Sequence, residues 1–538
     1  MNRGITLTVI VFCLVPAFAL PVAADYWPAD QPVPDAATAR INDSGLFEIA
    51  TFLAGYITPQ MVFEMMPNPI IDEDWGISEI LVYATGVSFN TPIYLNIDSQ
   101  VSNRLLFQGT INNFTLFIDL YGRLLPFPAC DSLGSIYISN IGISAYVYAT
   151  AGAAGHIDVV IDVEDGGITI GNLSIDLNDP ICDLIYDFLF STLNPVIRSI
   201  LVTTLQDVIE QDVANQVEEL LNELPFNFQF ELMGVTLDIG LNAQDITMDA
   251  NGMNIWLRGD VSSDTTSDCV PPQPGSYFTP SDRPGYGLNV PFSNPPVPYE
   301  AAMAINDDLL NRALYTAYNS GLMCIFLDPQ AMEDFGLPFP ITSALFAAAV
   351  PRLNEIAQNA PMTLIITPNE QPVVSYNMYT NPFPLEMWMH ELDMEVYIYA
   401  WERWMHLFTL RVNVDDIQAD VEITPEDMIH ITLDENISVT NTVIWDELLN
   451  LTPQERANVE SILPTVVGMI LPILLDSIED FPLPSFEQFA ISVTDIVTHG
   501  SRNYLGIFGD LVFREADRSL KSDAVPLRVK EQAQERLQ

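Results

Sequence analysis

Residues 41–46 read INDSGL and residues 305–310 read INDDLL, and each string opens an amphipathic stretch. A second echo lies 250 residues apart: Asp245-Ile246 is followed fourteen residues on by Gly259-Asp260, and Asp495-Ile496 by Gly509-Asp510 at the same spacing. Each of these follows an apolar-striped helical pattern that ends in Leu-Pro. Order and context agree at both ends of each half, so the chain reads as two homologous units of about 240 residues. Whatever the protein does has to suit such a pair.

Within the first unit the apolar period changes twice. Leu46, Ile49, Leu53 and Ile57 are spaced as a helical stripe, after which alternation at period two runs through strand-like segments around 80–89, 93–97, 114–120, 136–148 and 157–163. Gly166-Gly167 reads as a hairpin turn in this antiparallel meander. Asp179-Pro180 then caps a helical pattern that continues to Glu223, with a bend expected at Pro195 and a length of roughly 65 Å. Its stripe is Ile197, Leu201, Leu205, Ile209, Val213, Val217 and Leu221, so one face has to be covered. A hairpin turned at Asn251-Gly252 follows. The second unit repeats the plan: helices over 305–322 and 341–357, strands around 392–398 and 408–414, and a last helix opened by the capping box Thr452-Pro453-Gln454-Glu455 with the stripe Val459, Ile462, Val466, Ile470 and Leu474. Between the units, residues 262–299 hold nine prolines and three glycines and read as a linker.

Composition sets the compartment and excludes some partners. Arg3, an apolar run from Ile5 to Leu20 and Val22-Ala23-Ala24 have the form of a cleaved export signal, which places the mature start at Asp25. The location expected is extracellular, or periplasmic in a Gram-negative host. Cys130, Cys182, Cys269 and Cys324 remain, an even number that allows three pairings, of which one bridge per half is the simplest. Asn42, Asn113, Asn172, Asn436 and Asn450 stand in N-x-S/T sequons and are glycosylation candidates. The chain carries 71 acidic against 19 basic residues, a net charge of −52, which repels nucleic acid and anionic headgroups. Its 49% apolar content is enough for sizeable cores.

INDSGLFEIATFLAGYI, NDPICDLIYDFLF, INDDLLNRALYTAYNSGLM and FPLPSFEQFAISVTDIVTHGSRNYLGIFGDLVF together resemble stretches of the bactericidal/permeability-increasing, lipopolysaccharide-binding and plasma lipid-transfer protein family, within the tubular lipid-binding superfamily. The resemblance spans about 40–513 and rests on diffuse patterns without a catalytic signature. It implies an α+β fold: two pseudo-symmetric elongated barrels, each a twisted antiparallel sheet wrapped on a long helix, joined by a central sheet into a boomerang. On that plan residues 1–24 are the signal, 25–261 and 300–513 the two lipid-binding barrels, 262–299 the linker and 514–538 a charged tail. It also implies a Cys130–Cys182 bridge tying a strand to the start of the long helix, whereas Cys269–Cys324 rests on parity alone. Family members hold phospholipid or another two-chain lipid between helix and sheet. The corresponding candidate lipid-binding positions are Leu46, Ile49, Leu53, Ile197, Leu201, Leu205, Ile209, Leu309, Ile462, Val466, Ile470 and Leu474. One departure stands out: the N-terminal half offers only Arg40, Arg104, Arg123, Arg198 and Arg258, so charge-driven capture of anionic endotoxin is not expected.

A lipid carrier needs no cofactor and no metal, and none is expected. No HExxH, GxSxG, P-loop or strand-to-helix GxGxxG occurs. His390 and His406 lie in strand-like sequence, and Asp72, Glu73, Asp74 and Asp415-Asp416 lack EF-hand spacing and read as solvated turns. The expectation is a binding protein rather than an enzyme, with transient membrane or lipid-particle contact. The competing reading is an acidic extracellular interaction or structural protein with no bound lipid.

Overall fold

The computed structural model describes residues 25–513, apart from 75–77, 102, 125–128, 153–154, 223–226, 233–234, 286–297, 331–341, 377–383, 425–427, 435–436, 463, 465–480, 483–488 and 499–502. The signal segment, the tail and the sequon at Asn436 therefore lie outside the described residues. Strands β1 (Asp25–Pro28) and β2 (Val33–Asn42) lead into helices α1 (Asp43–Ala54) and α2 (Pro59–Met65). The first-half meander is β3 (Ile71–Asp74), β4 (Ser78–Ser88), β5 (Tyr94–Val101), β6 (Arg104–Leu124), β7 (Cys130–Ala151), β8 (Ile157–Asp162), β9 (Ile168–Ile170) and β10 (Leu173–Leu177). Helix α3 (Pro180–Asp207) runs through a π-helical segment, Val208–Val213, into α4 (Ala214–Asn222).

After β11 (Asn227–Leu232), β12 (Val235–Asp249), β13 (Gly252–Ser263) and β14 (Gly275–Phe278), the second half opens with β15 (Ala301–Asn306) and α5 (Asp307–Asn319). Its meander is β16 (Ile325–Leu327), β17 (Met362–Pro368), β18 (Val373–Tyr376), β19 (Leu385–Ala400), β20 (Arg403–Ile423), β21 (Met428–Leu433), β22 (Ser438–Trp445) and β23 (Phe481–Pro482). Strands β24 (Phe489–Thr498) and β25 (Tyr504–Phe513) close the chain. The fold is thus mostly antiparallel sheet with few helices. Over 341–357, where the sequence predicts a helix bent at Pro351, two short helices, Ser343–Ala347 and Leu353–Ile356, flank that residue, because proline cannot donate the helical hydrogen bond. Ile71–Asp74, expected as a turn, pairs with β4.

The two sequence echoes mark equivalent places in one seven-stranded sheet, ordered β11-β12-β13-β2-β15-β25-β24. At its centre β2 pairs antiparallel with β15, each flanked by a long hairpin. Both central strands end in an asparagine that caps the next helix: the Asn42 side chain accepts from Gly45 N–H and that of Asn306 from Asp308 N–H. The match extends to the backbone. Asp43 N–H donates to Asn251 O at the β12–β13 turn, and Asp307 N–H to Asn503 O beside the β24–β25 turn, at 3.2 and 3.0 Å. The Asp-Ile echo sits at matching bulges, since the register slips between Ala243 and Asp245 in one hairpin and between Val493 and Asp495 in the other.

Two eight-stranded sheets leave this shared one, one from each half. In β7 and β8 buried and exposed residues alternate, as period two requires of a sheet with one face on the core. Disulfides join Cys130 to Cys182 and Cys269 to Cys324. The proline-rich segment, as far as it is described, is packed: β14 pairs with β1, Gln273 Nε2 donates to Asn369 O at 2.8 Å, and Arg283 bonds both Asp35 and Asp245. Proline removes ladder donors but leaves carbonyls and side chains free to bond.

The second helix start buries two acids. Asp307 and Asp308 are 3% and 2% exposed. Burial pushes the Asp307 carboxyl up to about 8, with the neighbouring Asp308 adding to it, and burial pushes Asp308 up to about 7 against the N–H of Thr279. Both values lie above those of the unfolded chain, so the native state holds the extra protons and the associated stability is complete only at or below about pH 4. It is lost as pH rises through about 7 to 8. Urea unfolding between pH 5 and 9 is therefore expected to show stability falling with pH, and Asp307→Asn should flatten that slope; an unchanged slope in the variant would refute the assignment.

Candidate apolar ligand site

The long helix takes the place of a neighbouring strand along β8. In β8 the N–H groups of Ile157 and Val159 point away from β7, and that of Val163 follows them. Glu210 accepts from Val163 N–H at 3.0 Å, Glu218 from Val159 N–H at 3.1 Å and Asn222 from Ile157 N–H at 2.8 Å, while Asn222 Nδ2 donates back to Ile157 O at 2.7 Å. Helix residues four apart rise about 6 Å and strand residues two apart about 6.6 Å, so an i, i+4 row can serve alternate strand amides. The position between the two glutamates in that row is Ala214, a buried residue without a hydrogen-bonding side chain. An edge that would otherwise expose a row of amides is covered.

This arrangement closes an apolar interior. Where α1, α4 and the strands converge lies a void of about 30 Å³, lined by Leu46 and Ile49 of α1, Val217, Leu220 and Leu221 of α4, and Ile97, Leu105, Phe107, Val147, Ala149, Val159, Ile161, Met248 and Met253 of the sheets. Every lining residue is apolar, so the void stays dry. Its volume is small beside that of ligand pockets, which run to about 300–1,000 Å³.

Of the positions named from the sequence, Leu46 and Ile49 line this void. Leu53, Ile197, Leu201, Leu205 and Ile209 are buried in the same core beyond its walls. Leu309 joins that core from α5, against the face of β13 where Gly259 leaves room for it. Ile462 packs half-buried on the separate second-half core. Val466, Ile470 and Leu474 lie outside the described residues. The lining that the sequence list missed comes mainly from strands. Ile97, Leu105, Phe107, Val147, Ala149, Val159 and Ile161 sit on the inward phase of period-two segments, but that phase marks a core face without marking where packing fails.

At the rim of this interior, His156 Nε2 lies 3.4 Å from Glu218 Oε1. With Asp158 these residues bring donor atoms within 4.8 Å of one another, close enough for one divalent cation to touch all three, and both His156 and Asp158 are exposed. Among the described residues no single helix is long and apolar enough to cross a membrane.

No family model matches the chain, and no curated protein matches it. Among solved structures it is similar to a crystal structure of lipopolysaccharide binding protein, which covers 90% of this chain and 100% of that one at 13% identity and a TM-score of 0.48. It is also similar to a structure of P47 from Clostridium botulinum A2, covering 90% and 99% at 9% identity and a TM-score of 0.27.

If the helix row holds the β8 edge, Asn222→Ala should leave the Ile157 N–H and C=O without partners and cost about 2 kcal/mol. Glu218→Gln, which keeps an acceptor for Val159, should cost less than about 0.5 kcal/mol. Chemical denaturation measures both, and hydrogen exchange at Ile157 should quicken in the first variant only.

Proposed function

We propose that the protein is a secreted carrier of lipid, holding phospholipid-like apolar chains between helix and sheet and doing no chemistry on them. On this reading each half is one arm of a boomerang, the halves spanning 25–261 and 300–513, and lipid surfaces are its transient partners. The observation that carries the reading is the void itself: fourteen lining residues, all apolar, gathered where two helices meet a strongly curved sheet. The disulfides agree with an exported location. Each methylene placed in such an interior gains about 0.8 kcal/mol over water, and leaving a bilayer costs about the same. Exchange is then nearly neutral, as a carrier requires. Because the void is small, uptake on this reading parts α1 from α4 and widens it.

The second reading, an acidic extracellular structural or interaction protein, is favoured by the same small volume and by the net charge of −52. Native mass spectrometry of the purified protein followed by solvent extraction separates the two: the carrier should retain one or two lipids per chain, the scaffold none. Ala149→Leu, which fills the void, should lower lipid occupancy while thermal stability is kept or raised. Full occupancy in a folded Ala149→Leu protein would place the lipid elsewhere.

A further inference from the structure

The β19–β20 ribbon ends in an aromatic tip that the described residues leave exposed. Trp401 and Glu402 make the two-residue turn between Ala400 and Arg403, and both have left-handed backbones, with φ of 50° and 62°. Asn-Gly is the usual occupant of such a turn, because a side chain's Cβ crowds the following carbonyl there. An indole in that place works against local preference, and strain of this kind is concentrated where a side chain has a task beyond folding. Trp401 is 68% exposed, Trp404 45% and Tyr399 42%.

The strand pair behind the tip is anchored. Ile398, Ala400 and Met405, on the other face of the ribbon, are buried in the second-half core. Tyr399 meets Trp404 edge-on at 5.4 Å, and behind them Tyr397, His406 and Trp445 stack in series at 4.8 and 4.0 Å. Tyr399 and Trp404 are held by each other and by an anchored strand pair, and Trp401 is carried on the two-residue turn that joins those strands.

Charge narrows the choice of partner. Residues 398–405 contain one acid and one base, Glu402 and Arg403, so the tip is neutral in a chain of net charge −52. A net-neutral surface can approach here without repulsion, whereas an anionic one is repelled by the remainder of the molecule. Indole and phenol rings join an apolar body to a polar edge, the combination that settles at the headgroup level of a bilayer. A protein partner of such rings offers concave pockets; a lipid interface takes a convex tip as it is.

We propose that Trp401, Trp404 and Tyr399 form a docking surface for a zwitterionic lipid–water interface. The docking does not depend on the interior: the rings bind a vesicle whether or not a chain occupies the void. The test is flotation of the full chain with phosphatidylcholine vesicles, with indole emission read in parallel, on protein as purified and after delipidation. The wild type should float in both states with emission shifted to the blue, and replacing about one third of the lipid by phosphatidylserine should weaken binding at low salt. Trp401→Asn combined with Glu402→Gly gives the turn its preferred residues, so Tm should hold or rise while vesicle partitioning falls about tenfold. Tyr94→Ser, which removes a ring 57% exposed on β5, should leave partitioning unchanged. A wild type that does not float, stronger binding to the anionic vesicles, or undiminished flotation of the double variant would each overturn the proposal. Loss of internal lipid alone would leave flotation intact and bears only on the carrier reading.

Discussion

The antiparallel pairing of β2 with β15 is the constraint on which the rest of the structure depends. Backbone groups in the middle of a sheet must find partners, and here five residue pairs, from Ala301 with Ile41 to Ile305 with Ala37, join the two halves in one ladder. Each strand runs straight into an asparagine cap, so the register of this pair also fixes where α1 and α5 begin. The fit is close enough that a Cβ on Gly45, in the first turn of α1, would lie 2.3 Å from the Glu300 carbonyl oxygen. Arg40 makes the centre costly to disturb: 1% exposed, it is held by Asp249 at 2.6 Å and by Asn254 at 3.0 Å, and removing Asp249 takes away the carboxylate that pairs this buried charge.

From that centre the first-half sheet curls until its edge meets the long helix, and the geometry of the meeting decides what the interior can be. A strand added at β8 would satisfy its amides but bring another apolar face. A helix satisfies them with Glu210, Glu218 and Asn222 on one side of its surface while turning Val217, Leu220 and Leu221 inward. The π-helical segment at Val208–Val213 belongs to this contact, since Glu210 lies within it. A cylinder against a curved sheet cannot be filled as evenly as two flat faces, and the void lies where that mismatch meets α1. The apolar void and the aromatic tip are separate features of the two halves, one an internal surface and the other an external one.

Much of this was legible from local pattern. INDSGL and INDDLL are caps, and the asparagine caps are why the strings survive as echoes. The capping box at Thr452 closes as its residues predict, with Thr452 N–H donating to Glu455 at 2.9 Å. Asp245 and Asp495 were visible as a repeat, but that they sit at bulges was not, because a bulge belongs to a pair of strands. The burial of Asp307 and Asp308 was equally hidden. Acids at a helix start ordinarily face water, and only the return of the chain at Thr279 and Asn503 encloses these two.

The sequence by itself determined the duplication, the alternation of strands with capped helices, the even cysteine set and the surplus of acid. These depend on residues near one another in the chain, where spacing is geometry. The tertiary structure alone decided that Leu46 meets Val217 and Met253 around a void while Leu205 does not, and that Trp401 stands in the open. Those outcomes depend on strand register and sheet curvature, which bring together residues far apart in the sequence and are set by the packing of the whole rather than by any segment.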